Sequence, residues 1–135
     1  PITIDSSGLE SGMTVYGDTV YLVYQSPAAG ELKFIKSTNG GASFPGGNLR
    51  TVWAGAGSRP NIEVDGDKVY VLANGPDGLT LAKSLDGGNT WPPELMKVMD
   101  AMGYHGDLEL DAEGCGHMSY RENQNADLKY QRFTP

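Results

Sequence analysis

Five side chains, spaced one internal repeat apart, carry most of the chemistry the sequence offers. Glu10, Arg59 and His105 superpose when residues 1–13, 50–62 and 96–108 are aligned without a gap, and two places on Gly12, Asn61 and Asp107 superpose in turn. A guanidinium grips a carboxylate through paired hydrogen bonds. An imidazole moves protons near neutral pH. Two carboxyl groups such as Glu10 and Asp107 form an acid and nucleophile pair in glycoside hydrolysis when their separation allows it. Each group also has a plainer reading: an ion pair between Arg59 and Glu10, His105 as a polar lining residue, and solvated loop carboxylates. Tyr104 adds a stacking surface, with Tyr16 and Tyr24 as further aromatic candidates, and Arg121 closes a second strand near the same end. The ligand-binding candidates are therefore Glu10, Arg59, Asn61, Tyr104, His105, Asp107 and Arg121, with no residue assigned as catalytic.

These groups need a scaffold that brings equivalent positions together, and the repeat supplies one. Ile4, Trp53 and Met99 correspond, a period of 49 and then 46 residues, and each is followed nine residues later by Met13, Ile62 and Leu108. A turn and an apolar run come next: Gly17-Asp18 before Val20–Tyr24, Gly66-Asp67 before Val69–Ala73, and Gly114-Cys115 before His117–Arg121. A third strand follows at Leu32–Phe34, Leu79–Leu81 and Leu128–Tyr130. Four short strands in 46 to 49 residues mark the blade of a β-propeller. The runs of β-branched and aromatic residues predict strands buried on both faces, and the Gly and Pro turns leave no room for a helix. In this alignment His117 takes the place of Val20 and Val69 and is expected as a packed, hydrogen-bonded core residue. Cys115 takes the turn position of Asp67, and nothing beside it predicts a reactive thiol.

The segment Ser84-Leu-Asp-Gly-Gly-Asn-Thr-Trp91 fits the pattern Ser-x-Asp-x-Gly-x-Thr-Trp and resembles the Asp-box, or bacterial neuraminidase repeat, of sialidase-like propellers. Ser37-Thr-Asn-Gly-Gly-Ala-Ser-Phe44 is a softened copy at a 47-residue spacing. In these boxes Ser37, Asn39, Gly41, Ser43 and Phe44, and Ser84, Asp86, Gly88, Thr90 and Trp91, are structural: the Asx side chain binds its own turn, glycines take positive φ, and the aromatic plugs the base. The resemblance places the boxes on the face opposite the active site, and it matches Arg59 in Arg-Pro to an arginine that grips a substrate carboxylate. It also implies three such arginines, a Tyr–Glu nucleophile pair and an Asp acid/base. The chain has four arginines, of which Arg50 and Arg132 are expected on outer strands.

The fold class expected is all-β, a propeller of four-stranded antiparallel blades with three blades per chain. Residues 1–12 hold a fourth strand, Ile2–Ile4, for a neighbouring chain; 13–57 form the first blade with the box at 37–44; 58–104 form the second with the box at 84–91; and 105–135 form a third lacking its fourth strand. Two copies, head to tail about a two-fold axis, would give a six-bladed ring, the alternatives being a fragment of a longer six-bladed chain or a longer partner that supplies the rest. Ten Lys and Arg against 17 Asp and Glu leave a net charge of −7, which argues against nucleic acid and anionic membrane as partners. One cysteine excludes an internal disulfide framework, and two histidines with no Cys-x-x-Cys predict no metal and no cofactor. The function expected is a carbohydrate- or ligand-binding module without catalysis. The alternatives are a sialidase-type glycoside hydrolase and a protein-interaction scaffold.

Overall fold

The computed structural model describes residues 1–55 and 57–135. All of its regular structure is β apart from two single 3-10 turns, Gly46–Asn48 and Pro93–Leu95. The first sheet is β1 (Ser11–Tyr16), β2 (Thr19–Ser26), β3 (Glu31–Ser37) and β4 (Arg50–Ala54). The second is β5 (Ser58–Asp65), β6 (Lys68–Gly75), β7 (Gly78–Ser84) and β8 (Met96–Asp100). The third has three strands: β9 (Gly103–Leu110), β10 (Gly116–Glu122) and β11 (Leu128–Phe133). Within each sheet consecutive strands pair antiparallel, as in a propeller blade.

The sheets stack face to face. Tyr21, Val23, Leu32 and Phe34 of the first meet Ile62, Val69, Val71 and Ala73 of the second. On the far side of the second sheet Tyr70, Leu72, Leu79 and Leu81 meet Leu108, Met118 and Tyr120 of the third. The middle strand β6 is thus buried on both faces from Val69 to Ala73, which is why its sequence runs apolar without alternation. Each such side chain withdrawn from water contributes on the order of 2 kcal/mol. The first strands of the sheets lie side by side, β1 against β5 and β5 against β9. At Gly12 a side chain would collide with the Pro60 carbonyl and the Asn61 backbone, so the innermost strands can approach only because residue 12 is glycine.

The turns at 37–44 and 84–91 are built alike. The Ser84 hydroxyl donates to Asp86 Oδ1 at 2.7 Å and accepts from Gly88 N at 2.9 Å, while Thr90 donates to Asp86 through both its amide (2.8 Å) and its hydroxyl (2.6 Å). Ser37, Asn39, Gly41 and Ser43 repeat the pattern, with Asn39 Nδ2 now donating to the Ser43 hydroxyl at 2.9 Å. Trp91 is buried, and its Nε1 donates to Gly88 O. These hydrogen bonds hold the Asp86 carboxyl down at about 2, chiefly through the Thr90 hydroxyl. Gly40 N and Gly87 N donate to Asp18 O and Asp67 O, both at 2.8 Å, so each box rests on the β1–β2 or β5–β6 turn of its own sheet.

Strand register corrects one alignment. Leu110 faces Gly116 and Leu108 faces Met118, as Val64 faces Val69 and Ile62 faces Val71. The link Asp111–Cys115 is one residue longer than the corresponding turns, so Gly116, and not His117, takes the place of Val20 and Val69. His117 is half-buried on the outward face of the third sheet, bonded to Asp111 Oδ2 at 2.9 Å and Tyr130 OH at 2.8 Å. The corrected register makes Tyr24, Ala73 and Tyr120 equivalent, and it exposes a clasp that occurs twice. Tyr24 OH donates to Asp5 Oδ2 (3.2 Å) and Tyr120 OH to Asp100 Oδ2 (3.1 Å), while Asp5 Oδ1 and Asp100 Oδ1 accept from the amides two residues on. Asp5, Ala54 and Asp100 are themselves equivalent by the repeat. At the junction of the first and second sheets both ends are alanine, Ala54 in β4 and Ala73 in β6, so neither half is left without its partner. Burial, then Asp5, pushes the Tyr24 phenol up to about 12.

At the N-terminus, β1 begins at Ser11, two residues before the expected blade boundary, and Ile2–Ile4 forms no ladder with the described strands. That segment instead lines a shallow cleft with Asp5, Leu9, Leu22 and Tyr24, on the outer face of the first sheet.

Candidate functional site

Two equivalent backbone irregularities build the site. In β5 the pairing with β6 slips between Ser58 and Asn61, and in β9 the pairing with β10 slips over Tyr104 to Asp107. Arg59 and His105 sit in these bulges with φ of 50° and 53°. Left-handed backbone at a residue carrying a side chain costs about 1 to 3 kcal/mol and survives only where the surroundings hold it. Here the surroundings are specific: Arg59 N donates to Glu10 Oε2 at 2.7 Å, and His105 N donates to Asn74 Oδ1 at 2.9 Å. Asn74 Nδ2 donates in turn to the Ser58 hydroxyl at 3.2 Å, so one amide side chain ties both bulges. β-Bulges of this kind re-aim side chains.

The result is an open depression of about 550 Å³ lined by Glu10, Ser11, Arg59, Pro60, Asn61, His105, Gly106 and Asp107. It lies at the starts of β1, β5 and β9, the opposite end of β1 and β5 from the turns on which the boxes rest. Five of the seven sequence candidates meet there. Asn61 Nδ2 donates to Asp107 Oδ1 at 2.9 Å. The anticipated ion pair between Glu10 and Arg59 does not form: Glu10 holds the Arg59 backbone, and the exposed guanidinium has no carboxylate within ion-pair distance among the described residues. Just below, burial together with Glu109 and Asp107 pushes the Glu63 carboxyl up, a sign of concentrated negative charge beside the depression.

Tyr104 and Arg121 stand beside the depression and do not line it. The Arg121 guanidinium lies 5.7 Å from the centre of the Tyr104 ring, and that ring meets His105 edge-on at 4.4 Å. Tyr16 ends β1 at the turn face, and Tyr24 is buried in its clasp, so neither reaches the depression. Sequence reasoning missed Asn74. Its role depends on contacts with β5 and β9 that no local pattern records; the one signal was its place directly after the apolar run Val69–Ala73. Glu122 is likewise structural: buried, it caps its loop by accepting from the amides of Gln124 and Asn125. Among the described residues no group of three His, Cys, Asp or Glu side chains gathers as a metal set.

No protein-family model and no curated protein matches the sequence. Solved structures match the fold. An exo-β-1,3-galactanase from Clostridium thermocellum superposes with a TM-score of 0.67 at 16% identity, over 100% of this chain and 35% of its own. A thermostable family-43 glycoside hydrolase gives 0.63 at 13% identity, over 99% of this chain and 50% of its own. A GH62 hydrolase in complex with xylotriose gives 0.62 at 11%, over 96% and 47%. These neighbours are five-bladed β-propellers, and the chain spans half or less of the length of each. At such identities the likeness establishes the propeller fold and leaves the chemistry to the site.

Proposed function

We propose that the depression at the starts of β1, β5 and β9 binds a carbohydrate without hydrolysing it. One observation carries the reading: Glu10, Arg59, Asn61, His105 and Asp107 converge on one open cavity of about 550 Å³, two of them on backbone held in a costly conformation. The Arg59 guanidinium, which has no carboxylate partner among the described residues, suits the carboxylate of an acidic sugar, which it would grip with two parallel hydrogen bonds. Glu10, Asn61 and Asp107 offer acceptors and a donor for sugar hydroxyls, and His105 with Tyr104 offers a ring surface. Two further features favour a sialidase-like module: the Ser-x-Asp-x-Gly-x-Thr-Trp turns and the Arg-Pro element at 59–60. The solved neighbours support sugar as the ligand class, since their names describe a galactanase, a glycoside hydrolase and a complex with xylotriose.

Glycoside hydrolysis is the second reading, and the Glu10 and Asp107 carboxylates beside His105 favour it. Against it stands the cation count: among the described residues Arg59 is the one arginine lining the depression, where the sialidase resemblance implies three. A fluorogenic sialoside assay run beside a glycan array separates the readings. The expected result is retention of an acidic glycan, weakened at least tenfold by Arg59→Ala, with no turnover. Sialoside hydrolysis abolished by Arg59→Ala would overturn the non-catalytic reading. An array on which no glycan is retained would overturn the carbohydrate reading altogether.

A further inference from the structure

Two faces of the chain expose side chains at positions that the molecule buries everywhere else. Strand pairing makes Leu32, Leu79 and Leu128 equivalent, and likewise Phe34, Leu81 and Tyr130. Leu32, Phe34 and Leu79 are 0% exposed and Leu81 is 9%, because each packs on the next sheet, whereas Leu128 is 83% exposed and Tyr130 65%. The other end of the stack shows the complement. Ile62 and Leu108 pack on the preceding sheet and are 2% and 1% exposed; their equivalent Met13 is 65% exposed, with Val15 beside it at 58%. The edge of the third sheet is open as well. β3 and β7 are each flanked by a further strand, while among the described strands β11 pairs with β10 alone. On the third sheet Leu128 and Tyr130 share their face with Arg121, Ser119 and His117; exposed apolar side chains of this kind beside a free edge mark a surface that natural sheets cover.

We propose that the chain associates head to tail with a second copy of itself, the Leu128 and Tyr130 face of each protomer seated on the Met13 and Val15 face of the other. Continuity with the internal junctions carries this assignment. The contact between these equivalent positions occurs twice within the chain, from first sheet to second and from second to third, and the same contact continues across the protomers. A two-fold axis then covers both open faces at once and leaves none for a third copy, which is the condition for a closed ring. Ile2–Ile4 already lies along the Met13 face, beside Leu22. In the assembly it comes next to the free edge of the other protomer's β11, where Ile4 takes the place that Trp53 holds opposite Leu32. The depression lined by β1, β5 and β9 gains its other half from the second copy. The proposal rests on sheet faces and is independent of the carbohydrate reading.

Light scattering after size exclusion on the 135-residue chain tests it. The expected result is a single species of twice the 14.4 kDa chain mass. Leu128→Glu and Met13→Lys alter side chains that are exposed within the protomer, so each variant keeps its far-ultraviolet circular dichroism and runs at the mass of one chain. Mixing the two variants restores the dimer, because opposite charges meet at one junction and the other junction is unaltered. A wild-type chain that runs as a monomer, a ladder of larger oligomers, or variants that remain dimeric when alone would overturn the proposal. Further sheets in a longer polypeptide, or an unrelated partner, correspond to the monomer outcome.

Discussion

Arg59 and His105 hold left-handed backbone at equivalent points of two sheets (φ 50° and 53°), and in both cases a side chain from elsewhere, Glu10 just before β1 or Asn74 of β6, captures the amide that the bulge leaves over. Conformational cost and functional placement thus coincide at the same residues. Asp86 works at the other end of the sheet. Its carboxyl is held at about 2, below the ordinary 3.8, by the Thr90 hydroxyl and the amides of its turn. The stabilisation it provides is therefore fully present above about pH 4 and is lost as pH falls toward 2. Asp86→Asn converts this turn to the composition of its twin at Asn39 and is expected to cost about 1 to 2 kcal/mol near neutral pH. Urea unfolding of both proteins at a series of pH values checks it: the gap between them closes as pH falls below about 4, and a gap independent of pH would contradict the account. The sequence makes Arg59, His105 and Asp86 legible because each stands at a fixed offset in a repeat. Asn74 and Glu122 are invisible to that logic, because their partners are set by turns and by the approach of separate strands.

At the scale of elements, one additional residue in the link Asp111–Cys115 decides the third sheet. It moves His117 from the packed face to the outward face and seats Gly116 under Phe133, where any side chain would overlap the ring. The four-strand rhythm and the buried run of β6 follow from composition and spacing. The shift in β10 does not, because an insertion in a turn is silent until strand pairing is known. The corrected register also explains why the Asp and Tyr of the clasp travel together. A double-mutant cycle on Asp5→Ala and Tyr24→Phe is expected to show favourable coupling, each change costing less once the other is made. Additive losses in thermal unfolding would mean that the 3.2 Å contact contributes nothing to stability.

As a whole the molecule is a stack of three propeller sheets with exposed apolar side chains at each open end, Met13 and Val15 at one and Leu128 and Tyr130 at the other. Its net charge of −7 disfavours nucleic acid and anionic membrane surfaces, while the exposed Arg59 offers a positive point within the acidic mouth. The six-sheet ring proposed here differs from the five-bladed neighbours and requires a smaller turn between successive sheets, a geometry that neither length nor repeat spacing encodes. Ligand chemistry, on the reading proposed above, resides at the starts of β1, β5 and β9 and not at the turns of the opposite face. Amide chemical-shift mapping of the ¹⁵N-labelled chain, titrated with a glycan retained on the array, tests this most directly. Saturable shifts are expected at Arg59, Asn61, His105 and Asp107, and at Asn74 through its hydrogen bond to the His105 amide. Shifts confined to residues 37–44 and 84–91, or none at saturating glycan, would contradict it.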